Sequence, residues 1–338
     1  MSIGFVMNKN LKAFLKQRLV LPARLRKQYT SDYRKFVSSS FLIRRDLTFD
    51  NLKGALTFQA HALEKGFIHE KFRPGFGNKA ISALLNDLDL YISKQYPKDE
   101  LRYKIAIDTL KEYLAIHQKL QFENSNTTRI KTWLVAHDEF DNAPVQDGGY
   151  FVQRKEQLEH IQSENFETFS NSRHSVRNFG GEKIPQSKII DAIKLASNAP
   201  SVCNRQSYHV YQVHDIEKIK KILKVQAGIN GLAGGISDLL VITTNAEYFR
   251  SVNERNQPYI DGGIFAMNLL YALHFEEIAA CPLNADLDLN GEKFVKHETG
   301  MPSSDCIIMF VAIGEFQETN KIPLSRREGY EDILVQVR

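Results

Sequence analysis

The chain has 338 residues, 43% of them hydrophobic and 25% charged, with a formal net charge of +4. Single cores stop growing near about 250 to 300 residues, so one sizeable domain plus a smaller one is expected. The near-balanced charge gives no reason to expect a nucleic-acid partner. Nine Lys/Arg against one acid, Asp32, fall within residues 1–40, so the basicity is local. Cys203, Cys281 and Cys306 show neither paired nor metal-type spacing, and no signal-peptide pattern opens the sequence. A reducing, cytoplasmic setting without disulfides or a bound metal is the expectation.

In chain order, Leu11, Phe14, Leu15 and Leu19 recur at helical spacing with Lys12, Lys16 and Arg18 on other faces, a basic amphipathic helix whose regular pattern ends at Pro22. Such a helix either packs on the domain behind it or docks on an anionic membrane or protein partner. Residues 1–40 are taken as this basic segment. Helices are then predicted over Leu52–Leu63, Lys79–Ser93 and Glu100–Leu120, each with i, i+3, i+4 apolar spacing. The first two flank a turn-rich insert, Arg73-Pro74-Gly75-Phe76-Gly77. His61 and Glu64 share a helical face with His69 following; without a clear further ligand, a hydrogen-bonded structural pair is the better reading than a metal site. Polar, Gly- and Pro-containing stretches near Asn124–Thr128 and Asp138–Gly149 end this helical extension, residues 41–160.

The remainder, residues 161–338, alternates element types. Pro185 opens a helix, Tyr208–Val213 reads as a strand, Ile216–Leu223 as a helix, Leu239–Thr244 as a strand, Tyr259–Ile278 as a long buried helix and Cys306–Ile313 as a strand. The apolar run Ile264–Phe275 is interrupted by Asn268 and flanked by Asp261 and Glu276, too short to span a bilayer. Asp332–Arg338 reads as a terminal strand able to complete a neighbour's sheet. The fold class is therefore α+β, a mixed sheet flanked by helices with a helical N-terminal region.

Three groups of residues carry chemistry. Arg173, Ser175 and Arg177 crowd two guanidiniums and a hydroxyl into five residues, with His174 among them, and Ser325-Arg326-Arg327 lies just beyond a Pro323 turn. Planar, charge-assisted donors from two distant segments suit a phosphate. Pro200, Ser201, Asn204 and Gln206 place hydroxyl and amide groups in a short loop, a donor and acceptor set that suits the edge of a flat heterocyclic ring but that ordinary loop chemistry explains as well. Ala279-Ala280-Cys281-Pro282-Leu283-Asn284 offers small residues where backbone can approach a flat ring; Cys281 has no His or Asp partner at motif spacing and reads as a packed thiol. Gly228, Gly231, Gly234 and Gly235 match neither the Walker nor the dinucleotide fingerprint, which speaks against a Rossmann domain. No His-Glu-x-x-His, Gly-x-Ser-x-Gly or Cys-x-x-Cys occurs, against zinc proteases, serine esterases and thioredoxin-like enzymes.

Taken in order, Arg-His-Ser-Val-Arg-x-Phe from Arg173, Ala-Pro-Ser-x-x-Asn-x-Gln from Ala199, Asp261-Gly262-Gly263, Ala-Cys-Pro-Leu-Asn from Ala280 and the late Ser-Arg-Arg resemble the succession seen in FMN-dependent nitroreductases, over residues 165–338. The resemblance implies a domain-swapped homodimer burying FMN between protomers. It implies that Arg173 and Ser175 bind the phosphate with Arg326 or Arg327, and that Arg177 sits by the flavin N1/O2 edge. Pro200, Ser201, Asn204 and Gln206 would contact the flavin from the other subunit, and Cys281, Pro282 and Leu283 would line its N5 side by their backbone. The family's usual Gln-Pro-Trp is Gln206-Ser207-Tyr208 here, and its Gly-Leu-Gly is Glu277-Ile278-Ala279, which leaves the substrate open. The implied activity is NAD(P)H-dependent reduction of a nitroaromatic, quinone or similar small-molecule acceptor by two half-reactions, with the flavin N5 doing the chemistry and no side-chain acid or base demanded. His61–Gly66 and Arg73–Gly77 resemble the extension of nitroreductase-like proteins associated with surface polysaccharide genes. Two alternatives follow: a specialised flavoenzyme of polysaccharide or natural-product modification, and a flavin-free binding module.

Overall fold

The computed structural model describes residues 14–40, 46–141, 145–229, 234–249 and 251–337. The start of the expected N-terminal helix, with Leu11 and Lys12, lies outside them, as do Gly231 and Arg338. A π-helical turn at Lys16–Val20 runs straight into helix α1 (Leu21–Ser39). Pro22 therefore does not end the helix: it occupies the first α-helical turn, where a missing N–H is tolerated. No residue of α1 is buried. The helix is tethered by Asp32, whose two carboxylate oxygens accept from Arg255 Nε and Nη2 at 2.7 and 2.9 Å, and by Gln28, which donates to Asn253 at 2.9 Å.

Four helices build the next layer: α2 (Phe49–Phe67), α3 (Asn78–Ser93), α4 (Leu101–Lys119) and α5 (Ser125–Ala136). Thr48 and Asn51 cap α2 reciprocally, and Asn124 with Thr127 does the same for α5, so each helix starts where an orphan N–H finds a side-chain oxygen. Leu52, Leu56, Leu63, Leu84, Leu88 and Leu110 fill a common core with the stacked rings of Tyr91 and Tyr103. The insert between α2 and α3 is pinned rather than loose. Gly75 and Gly77 take φ of +78° and +81°, His117 Nε2 accepts from the Gly75 N–H at 2.8 Å, and Tyr113 donates to the Phe76 carbonyl at 2.8 Å.

Strand β1 (Tyr150–Arg154) leads through helix α6 (Phe166–Ser172) and helix α7 (Gln186–Ala196) to β2 (Tyr208–Val213), α8 (Ile216–Gln226), β3 (Asp238–Asn245) and α9 (Gln257–Phe275). Strand β4 (Ala279–Asn284), α10 (Leu289–Thr299), β5 (Asp305–Gly314) and β6 (Thr319–Pro323) follow. The main sheet is antiparallel in the order β2-β3-β5-β4, and β1 pairs with β6, Tyr150 opposite Pro323. Alternation along β3 sends Leu239 and Val241 into the core shared with α8 and α10, and Leu240 and Ile242 into the one shared with α7 and α9. The molecule is thus a mixed helix-and-sheet structure with a helical N-terminal region. The helical and sheet halves meet at the C-terminal end of α2, where Asn178 Nδ2 donates to the Ile68 carbonyl at 3.0 Å and Gln317 Nε2 to Glu70 at 2.9 Å.

The Asn124–Thr128 stretch, expected as a loop, caps and opens α5 because its Asn and Thr side chains satisfy the first N–H groups, and three further elements differ from expectation. Ala279–Asn284 is a strand, because an edge position accepts Pro282 without losing a ladder bond. Helix α9 is buried on one side only: Ile260, Ile264, Met267 and Phe275 form an exposed line along the other, through the half-buried Tyr271. The terminal segment opens as a helical turn, Tyr330–Ile333, and continues with Leu334, Val335 and Val337 exposed. Among the described residues no helix is long and apolar enough to cross a membrane.

Candidate functional site

The Arg173–Phe179 segment lies along the outer edge of β4, where Val176 N–H donates to the Ala280 carbonyl at 3.0 Å. Val176 points into the sheet core, so alternation leaves Ser175 and Arg177 on the opposite side. The far end of the segment is fixed by a close approach: Gly235 has φ +73°, and a Cβ there would stand 2.3 Å from the Phe179 carbonyl oxygen. No other residue fits that position without displacing backbone.

Arg173 and Arg327, 154 positions apart, come within electrostatic reach of each other and of two imidazoles. Burial, then Arg173 and Arg327, lowers His174 to about 4. Burial, then Arg173 and His174, lowers His274 to about 4, and its Nε2 sits 2.7 Å from Ser172 Oγ. Both rings are therefore neutral at pH 7. Among the described residues no carboxylate pairs with Arg173 or Arg327; the latter donates to the Ser325 carbonyl at 2.8 Å, with Ser325 at φ +44°. Arg326 turns away and bridges Asp147 at 3.2 Å. Two uncompensated guanidiniums beside neutral imidazoles make a cradle for an anion.

Arg177 is only 9% exposed and leans toward helix α2, its Nη2 3.5 Å from His61 Nε2. His61 Nδ1 is held by Glu64 Oε2 at 3.1 Å, the structural pair read from the sequence. Lys65, one position further on, lies beside Arg177: burial and then the Arg177 charge lower its pKa. Cys281 is fully buried, and burial raises its thiol pKa against the opposing pull of Arg177 and Lys65. The thiol is a packing group at neutral pH. In β4, Ala280 turns its carbonyl outward to Val176, so alternation places Pro282, which has no N–H, and then Asn284 on that same outer edge. A cavity of about 510 Å³ opens over this face of α2, bounded by Thr57, Phe58, His61, Lys65 and Arg102. A second of about 240 Å³ continues from Thr57, His61 and Arg102 to Ser325–Arg327.

The Pro200–Gln206 loop is tightly built. Cys203, Asn204 and Gln206 all take left-handed φ, between +49° and +54°. Ser201 Oγ accepts from the Gln206 N–H at 3.0 Å, and the Gln206 amide donates to Asn204 Oδ1 at 3.1 Å. The buried Asp261 carboxylate anchors the loop by accepting from the Val202 N–H at 3.2 Å and from Gln257 Nε2 at 2.7 Å. Asp261 and His274 stand near opposite ends of α9, thirteen positions and so about 20 Å apart. One protomer therefore brings together Arg173, His174, Ser175, Arg177, Arg327 and the Cys281–Leu283 strand, and holds the Pro200–Gln206 loop away from the arginine cradle.

Sequence reasoning missed Lys65 and His274, neither of which sits in a motif, and gave no sign that His61 meets Arg177 across 116 positions. The i, i+3 spacing of His61 and Glu64 was the available signal.

A model of the nitroreductase family matches residues 171–233. No curated protein matches the chain. Among solved structures, a nitroreductase-like protein from Streptococcus mutans is 19% identical, covering 51% of this chain and 98% of its own length, with a TM-score of 0.44. An FMN-dependent nitroreductase from Clostridium difficile is 21% identical, covering 44% and 87%, with a TM-score of 0.40. A nitroreductase family protein from Clostridium novyi is 18% identical, covering 46% and 87%, also with a TM-score of 0.40. The matched stretch contains both the Arg173–Phe179 segment and the Ala199–Gln206 loop, and residues 171–233 are a nitroreductase-family segment.

Proposed function

We propose that the protein is an FMN-dependent oxidoreductase that takes electrons from NAD(P)H and passes them to a small conjugated acceptor, such as a quinone or nitroaromatic. The observation that carries this is that Arg173, inside the matched stretch, and Arg327, far beyond it in sequence, come within electrostatic reach with no carboxylate paired to either among the described residues. A flavin phosphate fits there because a dianion supplies the charge the cradle lacks, and His174, Ser175 and the two guanidiniums offer donors to it. Of the two late arginines, Arg327 is assigned this role, since Arg326 is engaged by Asp147.

When bound, FMN accepts and returns a hydride. Arg177, nearly buried, would hold a positive charge beside the bound ring and stabilise negative charge that gathers there. The edge strand β4 would line the N5 side along Cys281–Leu283, where the outward Pro282 has no N–H and Asn284 presents the next one. The Pro200–Gln206 loop, anchored at Asp261 about 20 Å along α9 from His274, would complete the site from a second protomer. The exposed Ile260, Ile264 and Met267 line of α9 is the surface that such a homodimer would cover. Purified protein is expected to be yellow and to bleach anaerobically with NADH or NADPH, and Arg173→Ala with Arg327→Ala is expected to strip the flavin while the fold persists. A double variant that stays fully flavinated refutes the cradle assignment.

A further inference from the structure

We propose that His61, oriented by Glu64, is the acid that supplies a proton to the acceptor, with Glu64 as its positioning residue. This rests on the flavin reading above and adds to it a side-chain acid from the helical half. Glu64 is 2% exposed, its Oε2 engages His61 Nδ1 at 3.1 Å, and its Oε1 has no hydrogen-bond partner. A carboxylate so deeply buried with so little satisfaction is costly to keep. What it achieves is to hold His61 as the Nδ1–H tautomer and turn Nε2 toward Arg177, 3.5 Å away. The ring stands between the cavity of about 510 Å³ over α2 and the smaller one that reaches Arg327. An acceptor entering either cavity thus meets the His61 ring.

The charged groups around the imidazole are Glu64 and Lys65 from α2, Arg177 from the β4 edge, Arg102 from α4 in its 2.8 Å pair with Glu328, and Arg326 and Arg327. Cys281 is no rival, because burial raises its thiol pKa. Lys65 is the competing donor and has no orienting carboxylate among the described residues. In the step, NAD(P)H would be the two-electron reductant, oxidised to NAD(P)⁺, and a quinone the oxidant. A solvent proton taken up at Nε2 turns the ring into an imidazolium, which gives that proton to the quinone oxygen, and hydroquinone leaves. The neutral imidazole, Nδ1–H retained, is reprotonated by water from the cavity.

The test compares 1,4-benzoquinone, which takes up protons, with ferricyanide, which takes electrons alone, in steady state with the flavinated full-length protein. General acid catalysis contributes about 10²-fold or more, so H61Q is expected to lower the benzoquinone-to-ferricyanide rate ratio at least about 30-fold. E64Q should lower it by about 10-fold, within the range typical of losing an orienting carboxylate. Nitrogen-15 NMR of the imidazoles reads the tautomer directly: His61 is expected as Nδ1–H in the wild type and as a mixture in E64Q. An unchanged ratio in flavinated H61Q, an Nε2–H tautomer in the wild type, or K65M alone reproducing the ratio change overturns the proposal while leaving the flavin reading intact. A wild-type protein that takes up no flavin overturns both together.

Discussion

Lowering the pH from 7 to 5 should weaken the fold through His274. This ring is 4% exposed and bonded to Ser172, and burial, followed by the Arg173 charge and the neighbouring His174, brings its pKa from 6.5 to about 4. The folded chain keeps the ring neutral over a range in which the unfolded chain protonates it. Stability is therefore fully present above pH 6.5 and drains away as the pH falls toward about 4. At about 1.36 kcal/mol per pH unit once the unfolded ring is charged, the loss between pH 7 and 5 comes to about 2 kcal/mol. Urea unfolding of the wild type and of His274→Gln at the two pH values measures it. The amide keeps a partner for Ser172 and removes the titration. The wild type should lose about 2 kcal/mol more than the variant, a sizeable part of a typical folding free energy of about 5 to 15 kcal/mol. Equal losses in the two proteins would show that this imidazole does not titrate under the influence of Arg173, and the cradle's electrostatics would have to be redrawn.

Other substitutions separate the parts of the site. Arg326→Ala should leave flavin content near wild type, whereas Arg327→Ala should lower affinity by about 1.5–3 kcal/mol, the worth of a charge-assisted hydrogen bond, in a fluorescence titration with FMN. Gly235→Ala, with φ +73° and a Cβ 2.3 Å from the Phe179 oxygen, should cost about 2 kcal/mol or more in urea unfolding. Gly263→Ala, in a helix with nothing within 4 Å of the new methyl, should stabilise by about 0.5–1 kcal/mol. Ile264→Glu with Met267→Glu should convert a dimer to monomers by light scattering and release the flavin as it does so. Monomers that keep a full complement of FMN would contradict a shared site.

Much of this architecture could be read along the chain. Helices α2 to α4 announce themselves by apolar spacing, and the strands β3 and β5, buried on both faces, as unbroken apolar runs. The arginine-rich segment was legible because its spacing is local, and the late arginines because they repeat the same chemistry. What escaped has physical reasons. Strand β4 is short, contains a proline and sits at an edge, so none of its residues had to follow strand preferences closely. The apolar richness of α9 could not distinguish burial within one protomer from a face left for another. The contact of His61 with Arg177 depends on how two separately built layers meet, and no periodicity encodes that distance. His274 closes a helix in the ordinary way, and only the folded molecule sets it beside Arg173.

The seam at Asn178 and Ile68 divides labour along the chain. Downstream of it lies the arginine cradle proposed to hold a redox group; upstream lies α2, which walls a cavity with Phe58, His61 and Lys65. Altering that wall would retune which molecules are admitted without disturbing the grip on the prosthetic group. On the proposed reading, an electron relay and its mouthpiece would be built from separate stretches of one chain.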